Sequence, residues 1–313
     1  MSIVRDSSIG FAIGNAMGLP VEGESRENLI DSPVINMIGE GVFDVKKGTW
    51  GFDTSQFLIM MDSMTHMREV SCNDIADCFI ECIRNGQYTV QGTLFDIDKT
   101  TEKAIQKYEI ERDVTNCGEG GIKDNDNGAL PRMIPLAIYC HYNHLRDREI
   151  YELAKSVTSI THCNDVSILG SYILVKYILF ILNGKDKYAS YNMIKFLDYS
   201  EFFDMDTVEF YNRLLKTNIN KLNVEDLKSE KYIVYTLETV LWIILNCQSA
   251  PEAIVGGINL GGDTSMIGAL CGSISGMING LSDVPAKWLN SLEKIEYIEK
   301  IVSKFEDTLN IYE

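Results

Sequence analysis

Four glycines at four-residue intervals, Gly268, Gly272, Gly276 and Gly280, stand in an otherwise apolar stretch, and they narrow the folds open to this chain more than any other feature. At that spacing they share roughly one helical face and leave it bare of side chains. Each costs a helix about 1 kcal/mol relative to alanine, so the pattern is expected where a second helix approaches closely enough to offset the loss. A membrane-dimer reading fails, because Asp263, Asn279 and Asp283 bracket too short a segment. The stripe is preceded by NLGGDTSMIG (259–268), in which a glycine pair leads into Asp263 at the mouth of the helix. An aspartate there is an ordinary N-cap, and equally a place to hold a metal ion or a sugar hydroxyl.

Helical periodicity dominates the rest of the chain, and no sustained apolar/polar alternation marks a strand. Ser71 can cap a helix whose face carries Ile75, Cys78, Phe79 and Cys82 and which Asn85-Gly86 ends. Segments 147–160 and 230–247 repeat that logic, and 164–184 is apolar on nearly all sides, which places it at the centre of the fold. Val166–Leu182 is short for a span and contains Lys176, so a buried helix fits it better. The polar connections 85–100, 111–128 and 183–230 mark no clear linker. One all-α domain over residues 1–313, with long functional loops, is expected.

The formal net charge of −17 and the lack of any Lys/Arg-rich run argue against nucleic acid and anionic membranes as partners. The N-terminal stretch lacks the pattern of a secretory signal, and the eight cysteines include no C-x-x-C pair, so reduced thiols in a cytoplasmic protein are expected.

No nucleophile elbow, phosphate-binding P-loop or dinucleotide fingerprint is present. Cys140, His141 and His144 lack a second ligand cluster, which favours a structural or exposed role over zinc. His162, in SITHCND, can cap a turn or face a pocket. Among the acids, Glu22, Asp53 and Asp263 each sit at a helix end near Gly or Pro. Each taken alone is an ordinary cap or turn residue; together they suggest a shared cleft, able to hold divalent ions or to act on a glycosidic bond.

Six blocks, in order, resemble the ADP-ribosylglycohydrolase superfamily, which includes dinitrogenase-reductase-activating glycohydrolases, ADP-ribosylarginine hydrolases and J1 crystallins. GFAIGNAMGLPVEG resembles its opening G-D-A-x-G-x-P-x-E element, and GTWGFDTSQF its W-T-D-D-T element. FDIDKTTEKAI resembles F-D-I-G-x-T-T, NGALPRMIPLAIY resembles N-G-x-x-M-R-x-x-P-L, and SITHCND a Thr-His element. AIVGGINLGGDTSMIGALCGSISGMING resembles A-x-N-x-G-G-D-T-D-T and a small-residue helix. The resemblance implies an all-α orthogonal helical bundle with a central cleft. It further implies two magnesium ions held by the first and last acidic motifs, with ADP-ribose across them and water cleaving at the anomeric carbon of the distal ribose. On the matched positions it implies a catalytic role for Glu22 and Asp53. Ligand contacts are implied at Thr54, Asn127, Gly128 and His162, and at Gly261, Gly262, Asp263 and Thr264.

The departures fall on the metal positions. Gly51 and Phe52 stand for Thr and Asp in W-T-D-D-T, Ser265 and Met266 for the second Asp and final Thr of G-G-D-T-D-T, and Asn15 for the opening Asp. Two carboxylates fewer leave at most one magnesium, on Asp53 and Asp263. Phe52 and Met266 are expected to fill the ion cavity or to stack on a base or sugar. Arg132 is expected to have a structural role. The leading expectation is therefore a cleft that binds ADP-ribose, a related nucleotide or an ADP-ribosylated protein, with the two-magnesium reaction lost or impaired. The alternatives are an active hydrolase using Glu22, Asp53 and Asp263 with one metal or none, and a structural or partner-binding protein of the crystallin kind.

Overall fold

The computed structural model describes residues 2–121 and 123–309. Eleven of its helices carry the architecture: α1 (Ile3–Gly18), α2 (Phe52–Met67), α3 (Cys72–Asn85), α4 (Lys99–Glu111), α5 (Leu130–Tyr142), α6 (Asp147–Ser159), α7 (Asp165–Leu182), α8 (Ile233–Asn246), α9 (Ala250–Ile258), α10 (Thr264–Asn279) and α11 (Ile295–Glu306). Among the described residues no strand forms, and the three isolated bridges tie loops together. The fold is all-α, as expected.

Local chemistry accounts for the helix ends. The Ser71 hydroxyl accepts from the Asp74 N–H, and Gly86 closes α3 with a left-handed backbone. Asn164 caps α7, whose apolar circumference is buried against α5, α6 and α8. Its one internal cation, Lys176, reaches Asp147 at 2.7 Å. The helix is long and apolar enough to cross a membrane, but 78% of it is buried in the protein, so burial accounts for its composition.

The glycine stripe of α10 meets α1 running antiparallel. Opposite Gly268, Gly272 and Gly276 lie Gly14, Gly10 and Asp6, backbone to backbone. A Cβ added at Gly268 would stand 2.7 Å from the Gly14 carbonyl oxygen, and one at Gly276 2.5 Å from that of Asp6. α1 contributes its own four-residue series, Gly10, Gly14 and Gly18. Gly280 does not share the stripe. It ends α10 at a φ of 69°, which glycine adopts without strain. A buried hydroxyl pair, Ser7 and Ser273 at 2.7 Å, pins the register of the two helices.

Candidate functional site

That register sets the last turn of α1 beside the first turn of α10. One 3-10 turn, Leu19–Val21, carries the chain from α1 to Glu22. The Glu22 carboxylate accepts from the Ser265 N–H at 3.1 Å and lies 3.3 Å from the Thr264 hydroxyl, which itself reaches the Gly18 carbonyl at 2.8 Å. Gly261 and Gly262, both at positive φ, let other protein segments close in. Gly262 donates to the Glu24 carbonyl, Gly23 to the Gly262 carbonyl, and Asp263 to the Ser229 carbonyl.

Neither helix-mouth aspartate spends its side chain on capping. Asp263 occupies the N-cap position of α10 without a cap hydrogen bond. Its carboxylate accepts instead from the Asn127 amide, and it lies 3.8 Å from the Lys231 ammonium. Asp53, in the first turn of α2, accepts from the Asn15 amide at 3.1 Å. Asn15 is fully buried and also accepts from the Gly51 N–H and the Thr54 hydroxyl. This position needs both a donor and an acceptor, which an amide supplies and an ionised carboxylate does not.

Two acids that carried no helix-end argument complete the group. Asp96 accepts from the Phe52 N–H at 2.9–3.0 Å. A side chain on Gly51 would overlap the Asp96 carboxylate, so the glycine makes room for it. Asp98 caps α4 through the Thr101 N–H at 2.6 Å.

Leu19, Glu22, Phe43, Phe52, Asp53, Asp96, Asp98, Asn127, Gly128, Lys231, Asp263, Ser265 and Met266 line one cavity of about 30 Å³, room for one water or ion. A larger groove of about 580 Å³, bounded by His141, His144 and Phe196, brings together no comparable set of acids. Burial, and then Asp96, pushes Asp53 up to about 8; Lys231 acts against this, while Glu22 and Asp98 add to it. Burial likewise pushes Asp96 up to about 6 against the Phe52 N–H, and Asp263 well above the carboxylate range, with Glu22 adding to it. Lys231 is held above its ordinary range: desolvation opposes this, but Asp263, Glu22 and Asp53 outweigh it. The cavity therefore favours positive charge or protons.

Of the residues expected to touch a ligand, Phe52, Asp53, Asn127, Gly128, Asp263 and Met266 line this space, together with Glu22. Thr54, Thr264, Gly261, Gly262 and His162 do not. Thr54 and Thr264 are bound to Asn15 and Gly18, and the glycines face protein backbone. Phe52 borders the cavity, but its ring packs on Phe79 at 5.9 Å.

His162 is fully buried in a relay behind the cavity. Arg132, entirely buried, donates to the Thr161 hydroxyl, which lies 2.7 Å from His162 Nδ1. Asp126 is held ionised and can only accept, so His162 Nε2–H donates to it at 2.7 Å. Asp126 also accepts from the Thr100 hydroxyl and the Gly128 N–H. Burial opposes its charge, but these partners, His162 foremost, hold Asp126 below the usual carboxylate range. Asp98, Asp126 and His162 are, among the described residues, the one trio of acidic, thiol or imidazole groups with ligand atoms all within 4.8 Å. Both imidazole nitrogens are already engaged, which suits a support for Gly128 and the start of α5 better than a metal seat. His162→Ala should destabilise the protein by about 3 kcal/mol, by leaving buried partners unmatched. A urea midpoint unchanged by the substitution would contradict that support role.

The sequence pattern of the ADP-ribosylglycohydrolase family matches residues 2–311. The chain is 25% identical over 303 residues to an ADP-ribosylarginine hydrolase, Tri1, of Serratia proteamaculans, covering 96% of this chain and 78% of that one. It is 26% identical over 293 residues to the ADP-ribosyl-dinitrogen reductase glycohydrolase of Rhodospirillum rubrum, covering 92% and 90%. A solved structure described as an ADP-ribosylglycohydrolase-related protein complex superimposes with a TM-score of 0.81 at 24% identity, over 98% of this chain and 97% of that one. With the sequence pattern matched nearly end to end, this chain belongs to the ADP-ribosylglycohydrolase family.

Proposed function

We propose that the cavity is the floor of a cleft that binds an ADP-ribosyl group, and that the two-magnesium form of the family's reaction is lost or impaired in it. The observation that carries this reading is the state of the carboxylates. They line one cavity, yet each is met by a donor from the protein itself. Asp53 is met by Asn15, Asp96 by the Phe52 N–H, Asp263 by Asn127, and Glu22 by the Ser265 N–H. No three of these four acids offer oxygens within 4.8 Å of one another. Magnesium can be held by one or two carboxylates and water, so this donor set fits at most one ion, on Asp53 or Asp263. An ion there would polarise ribose oxygens and orient water.

The chain's own residues then have these tasks. Glu22 and Asp263 accept ribose hydroxyls, and the Asn127 amide and Gly128 backbone fix the ring. Phe43, half-buried and tilted against Phe95 at 5.4 Å, lines the cavity, whose volume of about 30 Å³ must widen for a sugar to enter. Displacement of fluorescent ADP-ribose tests the reading. ADP-ribose should compete at least about tenfold better than AMP or ribose 5-phosphate, and equal competition by all three would remove the claim.

Retained hydrolysis is the second reading, favoured by Glu22 and Asp53 facing the same cavity. It expects slow release of ADP-ribose from ADP-ribosylated arginine, reduced about 100-fold or more in Glu22→Gln. The relatives' names make that the first substrate to try.

A further inference from the structure

We propose that Lys231 is a tethered cation that supplies, at Glu22 and Asp263, the positive charge one divalent ion would otherwise bring. The proposal deepens the reading of a depleted metal centre and rests on it. Lys231 Nζ lies 3.1 Å from Glu22 Oε1 and 3.8 Å from Asp263 Oδ1, on two acids from opposite ends of the chain. Among the described residues lining the cavity it is the only cation. The other groups that meet these two carboxylates are neutral: the Asn127 amide, the Ser265 N–H and the Thr264 hydroxyl. Removing Lys231 would therefore leave two neighbouring carboxylates without any counter-charge.

The backbone holds Lys231 for this task. Its carbonyl accepts from the Asn127 N–H at 2.9 Å, and Tyr232 bridges to Asp126, so the residue is tied to the strip that carries Asn127 and Gly128. The side chain itself is 58% exposed and arches over the rim with its ammonium turned inward. That placement suits a point charge on a flexible stem and leaves the interior free of bulk. The sequence supplies a second, independent argument. Ser265 is neutral where the family pattern carries an aspartate, so this corner has one negative charge fewer than a two-ion centre of that pattern would have.

Manganese titration of chelator-stripped protein, followed by electron paramagnetic resonance and calorimetry without nucleotide, tests the proposal. Wild type should bind one Mn²⁺ or none per chain. Lys231→Met should bind one more than wild type, or bind at the existing site at least about tenfold more tightly. Lys231→Arg keeps the charge and should behave as wild type. Because Lys231 lies at the rim, both variants should fold, which their melting curves verify; if Lys231→Met does not, Lys231→Gln takes its place. Two ions on wild type, or equal stoichiometry and affinity in wild type and the uncharged variant, overturns the proposal. The readout is metal binding alone, so failure here leaves the ADP-ribose result standing, and failure of ADP-ribose binding leaves the ion count interpretable.

Discussion

Gly14→Ala is expected to destabilise the protein by about 3 kcal/mol or more, although alanine is the better helix former by about 1 kcal/mol. The added methyl group would overlap the Gly268 carbonyl and stand 2.8 Å from the Ala269 nitrogen. These are backbone atoms inside a helix and have no rotamer to escape into. Relief requires α1 and α10 to separate, and their contact sets Glu22 against Ser265. Gly256→Ala is the matched control. Gly256 also lies inside a helix, α9, but its added methyl would meet only side chains at 3.8–3.9 Å, an ordinary contact. It should be neutral or stabilising by up to about 1 kcal/mol. Unfolding free energies of the two variants, from denaturant titration, should shift in opposite directions, or at least differ by about 3 kcal/mol. Equal behaviour would mean that glycine here reflects something other than close helix approach.

Asp53→Asn is expected to stabilise the metal-free protein while removing much of its ligand affinity. Burial and the neighbouring acids push the Asp53 carboxyl up to about 8 from an ordinary 3.8. The folded state therefore holds a proton that the unfolded chain releases, and stability is lost as pH rises from about 4 towards about 8. An amide at this position never ionises, and its oxygen still accepts from Asn15. The gain in Tm should therefore be small at pH 5 and larger at pH 8, measured in chelator. ADP-ribose affinity should fall at least about tenfold at neutral pH. A variant less stable than wild type at pH 8 would show that Asp53 is a plain structural acid. Stability surrendered at a binding site is a common exchange.

The two substitutions also mark what could be read from sequence. The α10 stripe announced a close helix partner, because a glycine every four residues has few other uses in a helix. Gly10, Gly14 and Gly18 carry the same spacing, but they lie within an opening motif whose other letters drew the interpretation. Gly280 continued the interval, yet it belongs to the cap, since interval alone does not reveal where φ turns positive. Helix ends such as Ser71 and Gly86 were legible because capping is local. At the site, Glu22, Asp53 and Asp263 were legible through their helix-end positions and the family pattern. Asp263 turned out to spend its carboxylate on Asn127 rather than on its own helix.

Asp96 and Asp98 were visible letters in FDIDKTTEKAI, but Asp96 depends on the bare Gly51 of a distant segment, which only packing reveals. Lys231 had no local signal at all. It sits in a polar run before α8, and its meaning arises where residues 22, 127 and 263 meet. His162 read equally well as a turn or a pocket residue, and the choice was made by Arg132 and Asp126, 30 and 36 residues away. The pattern is general: one helix's own hydrogen bonds can be read in one stretch of sequence, whereas charge compensation between distant loops cannot.

Titration calorimetry of the purified chain with ADP-ribose, once in chelator and once in excess magnesium, tests most directly whether this cleft binds its ligand without a two-ion centre. Saturable binding at one site per chain is expected in both, with dissociation constants within about threefold of each other. Binding that vanishes in chelator and returns only with two magnesium ions per chain would contradict it.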